Sequence, residues 1–128
     1  MDLVEELYSR FPEFDSISDH TDDELKYVVF GGFSLFLFDL LVMKEEKTIR
    51  EGKEMYATEL PIAWETFDID NLIKRAFTFI DELMSKDDAQ INDVVYSCIF
   101  WTLQDSPYTD HYAKKYFSRR NFRKYEYL

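Results

Sequence analysis

What the chain lacks narrows it quickly. A single cysteine, Cys98, allows no internal disulfide and fits a reducing compartment, so a cytoplasmic location is expected. Three glycines and three prolines in 128 residues leave little turn chemistry for a β-sandwich, and no alternating apolar run is bounded by hairpin dipeptides. Metal and catalytic signatures are absent as well. One cysteine and two histidines do not make a zinc set, and no Glu-x-x-His motif occurs for a carboxylate-bundle metal site. Calcium loops started at Asp68 or Asp87 fail, with Ile73 at the sixth position of the first and Ala89 at the third of the second. The Gly31-Gly32 pair lacks the spacing of a phosphate loop. Both histidines stand beside acids, His20 near Asp19 and Asp22 and His111 beside Asp110, but sequence neighbours rarely supply general-base geometry. Cys98 falls on the apolar stripe of a helix, where a small buried hydrophobe is the usual role. No cofactor, no metal and no enzymatic activity is expected.

What is present is a long apolar run and an uneven charge. Val28 to Met43, VVFGGFSLFLFDLLVM, is the most apolar stretch, and as a helix from about Gly32 it is hydrophobic on all sides. It is shorter than the ~20 apolar residues of a membrane span and carries Asp39 near its middle. With no signal-type region before it, it is expected to be the buried central helix of a soluble domain, with no membrane partner. The 46% apolar fraction supports a real core, and the length suits one domain spanning 1–128.

Helical signals recur along the chain. Asp2 caps a first helix with Leu3, Leu7 and Phe11 on one face, which Pro12 ends or redirects. Glu13 to Asp23 reads as a loop, and Thr21 with Glu24 has the form of a capping box. That box starts either the central helix or a short helix over 22–30 that the glycines separate from it. Residues 44–56 read as a charged continuation, and Trp64 and Phe67 as anchors of the stretch that follows. Asp70 is expected to cap a helix through Met84, joined by SKDD to a second helix from about Ala89. Phe100, Trp101 and Leu103 widen the stripe of that second helix, which predicts burial on more than one side. After Pro107, Thr109 or Asp110 caps a last helix bearing Tyr108, Tyr112 and Tyr116 on one face. The fold class is all-α, with five or six helices in one compact domain around the central one.

Acids outnumber bases 26 to 15, for a net charge of −11. Six of the bases, Lys114 to Lys124, crowd the last sixteen positions with a single acid, whereas residues 1–112 hold nine bases and 25 acids. Such a body repels phosphate backbones and attracts basic surfaces. The C-terminal bases interleave with aromatics, as single-strand binders do. They also suit a snorkelling edge, an internal neutralising contact or a favourable helix-dipole end. Nucleic acid is not the expected partner. The aromatic C-terminus could serve a homodimer.

Three stretches, LVEELYSRFPEF, FGGFSLFLFDLL and RAFTFIDELMSKDDAQINDVVYSCIFWTL, together resemble small acidic bacterial immunity proteins of contact-dependent and polymorphic toxin systems. The resemblance implies a non-enzymatic inhibitor of a cognate toxin domain with a basic surface, such as a nuclease. The candidate partner-binding acids are Asp19, Asp22, Asp23 and Glu24 in the first loop, Glu45 and Glu46 after the apolar helix, and Asp87 and Asp88 in the hairpin turn. The competing readings are an acidic nucleic-acid mimic that inhibits DNA-binding enzymes, and an enzyme of unrecognised type.

Overall fold

A computed structural model describes residues 2–45 and 68–127. Among these the chain is all-helical, with seven helices and no strand. The expected continuation after Glu45, the Trp64 and Phe67 anchors, and the candidate acid Glu46 lie outside the described residues.

Helix α1 (Leu3–Arg10) starts as expected, with the Asp2 carboxylate accepting the Glu5 N–H at 2.8 Å. Pro12 does not merely end it. Because Pro at the first position of a helix forfeits no hydrogen bond, Phe11 serves as hinge and α2 (Pro12–Ile17) begins at once. The stretch read as a loop is therefore half helix.

This FPE corner is held by charge. Glu13 is only 8% exposed, and Arg75 reaches it at 2.7 Å. The same guanidinium donates to the Arg10 carbonyl and to Asn71, and it lies over the Phe11 ring. One arginine thus fixes both α1 and α2 to the long helix Ile69–Ser85 that carries it.

Helix α3 (Lys26–Glu45) runs unbroken through Gly31 and Gly32. The alternative of a separate short helix over 22–30 is not realised, and the expected capping box does not form. Thr21 instead gives its N–H to Asp19 at 2.9 Å, and residues 21–24 are a turn. With 20 residues, α3 is long and apolar enough by length and composition to cross a membrane, longer than the sequence run suggested. Phe30, Phe33, Leu37, Leu40 and Leu41 are fully buried against α1 and the two helices of the later hairpin, over 69–85 and 89–103. Burial on all sides is not observed, since Val28 is 51% and Leu35 58% exposed. The helix is apolar all round but enclosed on one side, because the chain supplies no neighbour for the outer stripe among the described residues.

Helix α4 (Ile69–Ser85) buries Leu72, Ile73, Ala76, Phe77, Ile80, Leu83 and Met84, the stripe read from the 3.6-residue period. Its cap is Asp68, two positions earlier than expected, accepting the Asn71 N–H at 3.0 Å. The cap shifts because Ile69 is itself buried and so is drawn into the first turn. Helix α5 follows the short turn as a continuous rod over 89–103. It opens as α-helix (Ala89–Val94), passes through a π-helical turn (Val95–Phe100) and closes as α-helix (Trp101–Leu103).

Helix α6 (Thr109–Tyr116) has no side-chain cap, as the Thr109 hydroxyl is drawn inward to the Leu103 carbonyl at 2.7 Å. The expected single last helix is two. Phe117 turns extended and is buried, and Ser118 caps α7 (Arg119–Glu126) through the Asn121 N–H. Asn121, fully buried, ties α7 to α4 with its amide within 3.1 Å of the Asp81 carbonyl, the Asp81 carboxylate and Ser85. These two extra starts, at Pro12 and at Ser118, bring the count among the described residues to seven, where five or six were expected.

Candidate functional site

The first-loop acids gather between α2 and α3, but they are not equivalent. Asp23 accepts from the Tyr8 hydroxyl at 2.7 Å and faces His20 Nδ1 at 2.7 Å. On the other side of the ring, His20 Nε2 meets the Asp15 carboxylate at 2.8 Å and its carbonyl at 3.1 Å. Both ring nitrogens therefore face acceptors, an arrangement that only the imidazolium satisfies with two N–H donors.

Accordingly the Asp23 hydrogen bond, with help from Asp15, raises the His20 pKa. The Tyr8 hydrogen bond, followed by that of His20, lowers that of Asp23. Burial first, and then Asp23, pushes the Tyr8 phenol up to about 12. His20 sits at φ 62°, in the left-handed region that His tolerates better than most side chains. The histidine is a latch that closes the loop on itself.

Asp19 is engaged with the Thr21 backbone. Asp22 and Glu24 are exposed. Behind these acids opens a cleft of about 250 Å³ whose apolar wall comes from Tyr8, Phe14, Val28 and Gly32. The exposed side chains Leu25, Val28 and Leu35 continue that wall along the outer stripe of α3. Gly31 lies on the same side, and a Cβ built there meets nothing within 4 Å. The site is thus an acidic rim beside an apolar strip.

The remaining candidate acids among the described residues, Glu45, Asp87 and Asp88, are dispersed and occupied. Asp87, at φ 52°, pairs with Arg120 and, at 3.3 Å, with Lys124. Asp88 caps α5 through the Gln90 and Ile91 N–H groups. The Tyr27–Asp93 hydrogen bond sets that turn at the same end of α3 as the first loop. Glu45 lies at the far end of the 20-residue helix, about 30 Å away, where it accepts from Tyr112. The Arg120 and Lys124 contacts mean that part of the C-terminal basic segment neutralises the body.

A second concavity was not anticipated from the sequence. Tyr96, Phe100 and Trp101 on α5 face Phe122 and Tyr125 on α7 across an open groove of about 860 Å³. Trp101, expected to be buried, is 70% exposed. The π-helical turn decides this. The Trp101 N–H bonds to the Tyr96 carbonyl five residues back, whereas an α-helix would set residues five apart roughly 140° from each other. No hydropathy pattern signals a π-turn.

Among the described residues no group of three His, Cys, Asp or Glu side chains is placed to hold a metal ion. Cys98 is buried, and burial raises its thiol pKa. No family model, curated protein or solved structure matches the chain.

Proposed function

We propose that this is a non-enzymatic binding protein, an immunity-type inhibitor that covers the basic surface of a cognate toxin domain in the cytoplasm. In this reading residues 1–128 form one compact unit with α3 as its core helix. The observation that carries the reading is the pairing of exposed Asp22 and Glu24 with the apolar strip of Leu25, Val28 and Leu35. One-sign charge accelerates encounter with an oppositely charged surface, and desolvated apolar anchors then slow dissociation. The internal latch of Tyr8, Asp23, His20 and Asp15 supports this by presenting the rim in one conformation, which reduces the ordering cost of binding.

The test begins with capture of partners from the native host by tagged protein at low and high salt. The expected result is one basic protein, recovered at low salt and weakened as salt rises. The double substitution Asp22→Lys with Glu24→Lys should then lower affinity for that protein by about tenfold or more, chiefly through the association rate. Recovery of many unrelated DNA-binding proteins, or a partner indifferent to the substitutions, would sink the reading.

A further inference from the structure

We infer that the aromatic groove between α5 and the C-terminal helices is a self-association surface, in which Trp101 of one copy enters the groove of a second. A twofold interface must be complementary to itself, so that whatever residue i meets in its partner, the partner's residue i meets here. This patch has both halves of such a contact. The π-helical turn raises the Trp101 indole out of the helix at 70% exposure, and the groove beside it is walled by the rings of Tyr96, Phe100, Phe122 and Tyr125. Those walls are built firmly, with Phe100 and Tyr125 at 5.1 Å between ring centroids and the Tyr125 hydroxyl bonded to Asp110. An exposed tryptophan beside a ring-lined recess is the usual anchor of a binding hot spot.

Charge selects the occupant. The groove is lined by Lys114 as well as by Asp110 and Glu126, so its rim carries both signs while the chain as a whole stands at −11. A strongly basic partner would meet Lys114, and a polyanion would meet the two carboxylates. A second copy offers both signs in return, so that Lys114 of each copy can pair with Glu126 of the other. The groove is also remote in character from the single-sign acidic rim, so the two surfaces call for different partners. Because each copy carries −11 overall, the two repel at long range, and salt screens that repulsion. Exposed ion pairs contribute little beside the repulsion of two −11 chains, so dimerisation should tighten as salt rises, opposite to the toxin binding proposed above, and either reading can fail without the other.

The experiment is sedimentation velocity on the full chain from micromolar to millimolar concentration, at low and high salt. We expect a monomer–dimer equilibrium that strengthens with salt. Trp101→Ala should raise the dissociation constant by about a hundredfold or more, since one anchor is lost from each copy. Trp101 is exposed, so the variant should fold, and far-ultraviolet circular dichroism checks that. Lys114→Glu or Glu126→Lys alone should weaken the dimer, and the two together should restore it. A chain that stays monomeric throughout, a dimer that Trp101→Ala leaves unchanged, or a double swap no better than the single changes would each overturn the inference. In a Trp64→Phe background Trp101 is the remaining indole. A monomer whose fluorescence then responds to argininamide or to adenosine monophosphate would reassign the groove to a small ligand.

Discussion

The acidic rim at one end of α3 and the groove under Trp101 both leave apolar side chains beside charged ones, yet they are built oppositely. At the rim the free charges, Asp22 and Glu24, share one sign, and the histidine that could balance them is consumed within the loop. At the groove Lys114 stands with Asp110 and Glu126. Their anchors to α4 differ in the same sense. The acidic end is tied down by a buried carboxylate under a guanidinium, Glu13 with Arg75, and the aromatic end by the neutral amide of Asn121. The sign of the surrounding charge is what separates a surface for a foreign basic partner from one for a second copy.

The largest effect that would sharpen this contrast is on the anchors. Removing Glu13 leaves a partly exposed guanidinium without its buried carboxylate, whereas removing the Asn121 amide leaves the Asp81 and Ser85 oxygens without that donor. Glu13→Ala should cost about 3 kcal/mol, the low end for such pairs because Arg75 is partly exposed. Asn121→Ala should cost about 2 kcal/mol. Urea unfolding midpoints at constant slope measure both, and a reversed order would undo the distinction between the two ends.

A smaller effect, of opposite sign, is expected on the outer stripe of α3. A Cβ at Gly31 meets no atom within 4 Å, so the glycine serves no internal packing. Gly31→Ala should raise stability by about 0.5–1 kcal/mol through helix propensity. Dimerisation through the groove should not change, and a loss of dimer would show that the two surfaces are not independent.

The smallest effect concerns the latch. The His20 pKa is raised from its ordinary value of 6.5 in the folded chain. Its contribution to stability is therefore fully present below 6.5 and is lost as pH rises through the raised value. The lowered pKa of Asp23 acts in the other direction, adding stability that fades as pH falls through the carboxylate range. His20→Gln should flatten the decline above pH 6.5, read as urea midpoints across pH. A wild-type profile already flat there would show that the loop is not latched by charge.

Periodicity carried much of the fold. The stripes of α4 and α5, the Asp2 cap and the short hairpin turn were legible because each is a local property, a 3.6-residue repeat or a carboxylate one turn from a free N–H. Where the reading missed, a long-range contact had outbid a local preference. Thr109 gave up its capping role to reach Leu103, and the Asp68 cap prevailed over Asp70 because Ile69 was needed inside. For the candidate site, exposure of Asp22 and Glu24 followed from loop composition. That Asp23 and Asp87 were already engaged did not, because Tyr8 and Arg120, 15 and 33 residues away in the chain, reach them only after folding.

Composition and spacing were thus enough for an all-helical chain with a strongly acidic body and a basic tail, since helix formation and net charge depend on near neighbours or on none. Which face of α3 would be left bare, which acids would stay free, and that a π-turn would lift Trp101 out of the core were settled by packing. Each depends on whether another segment arrives to cover a surface or satisfy a donor, and that is decided between residues far apart in the chain.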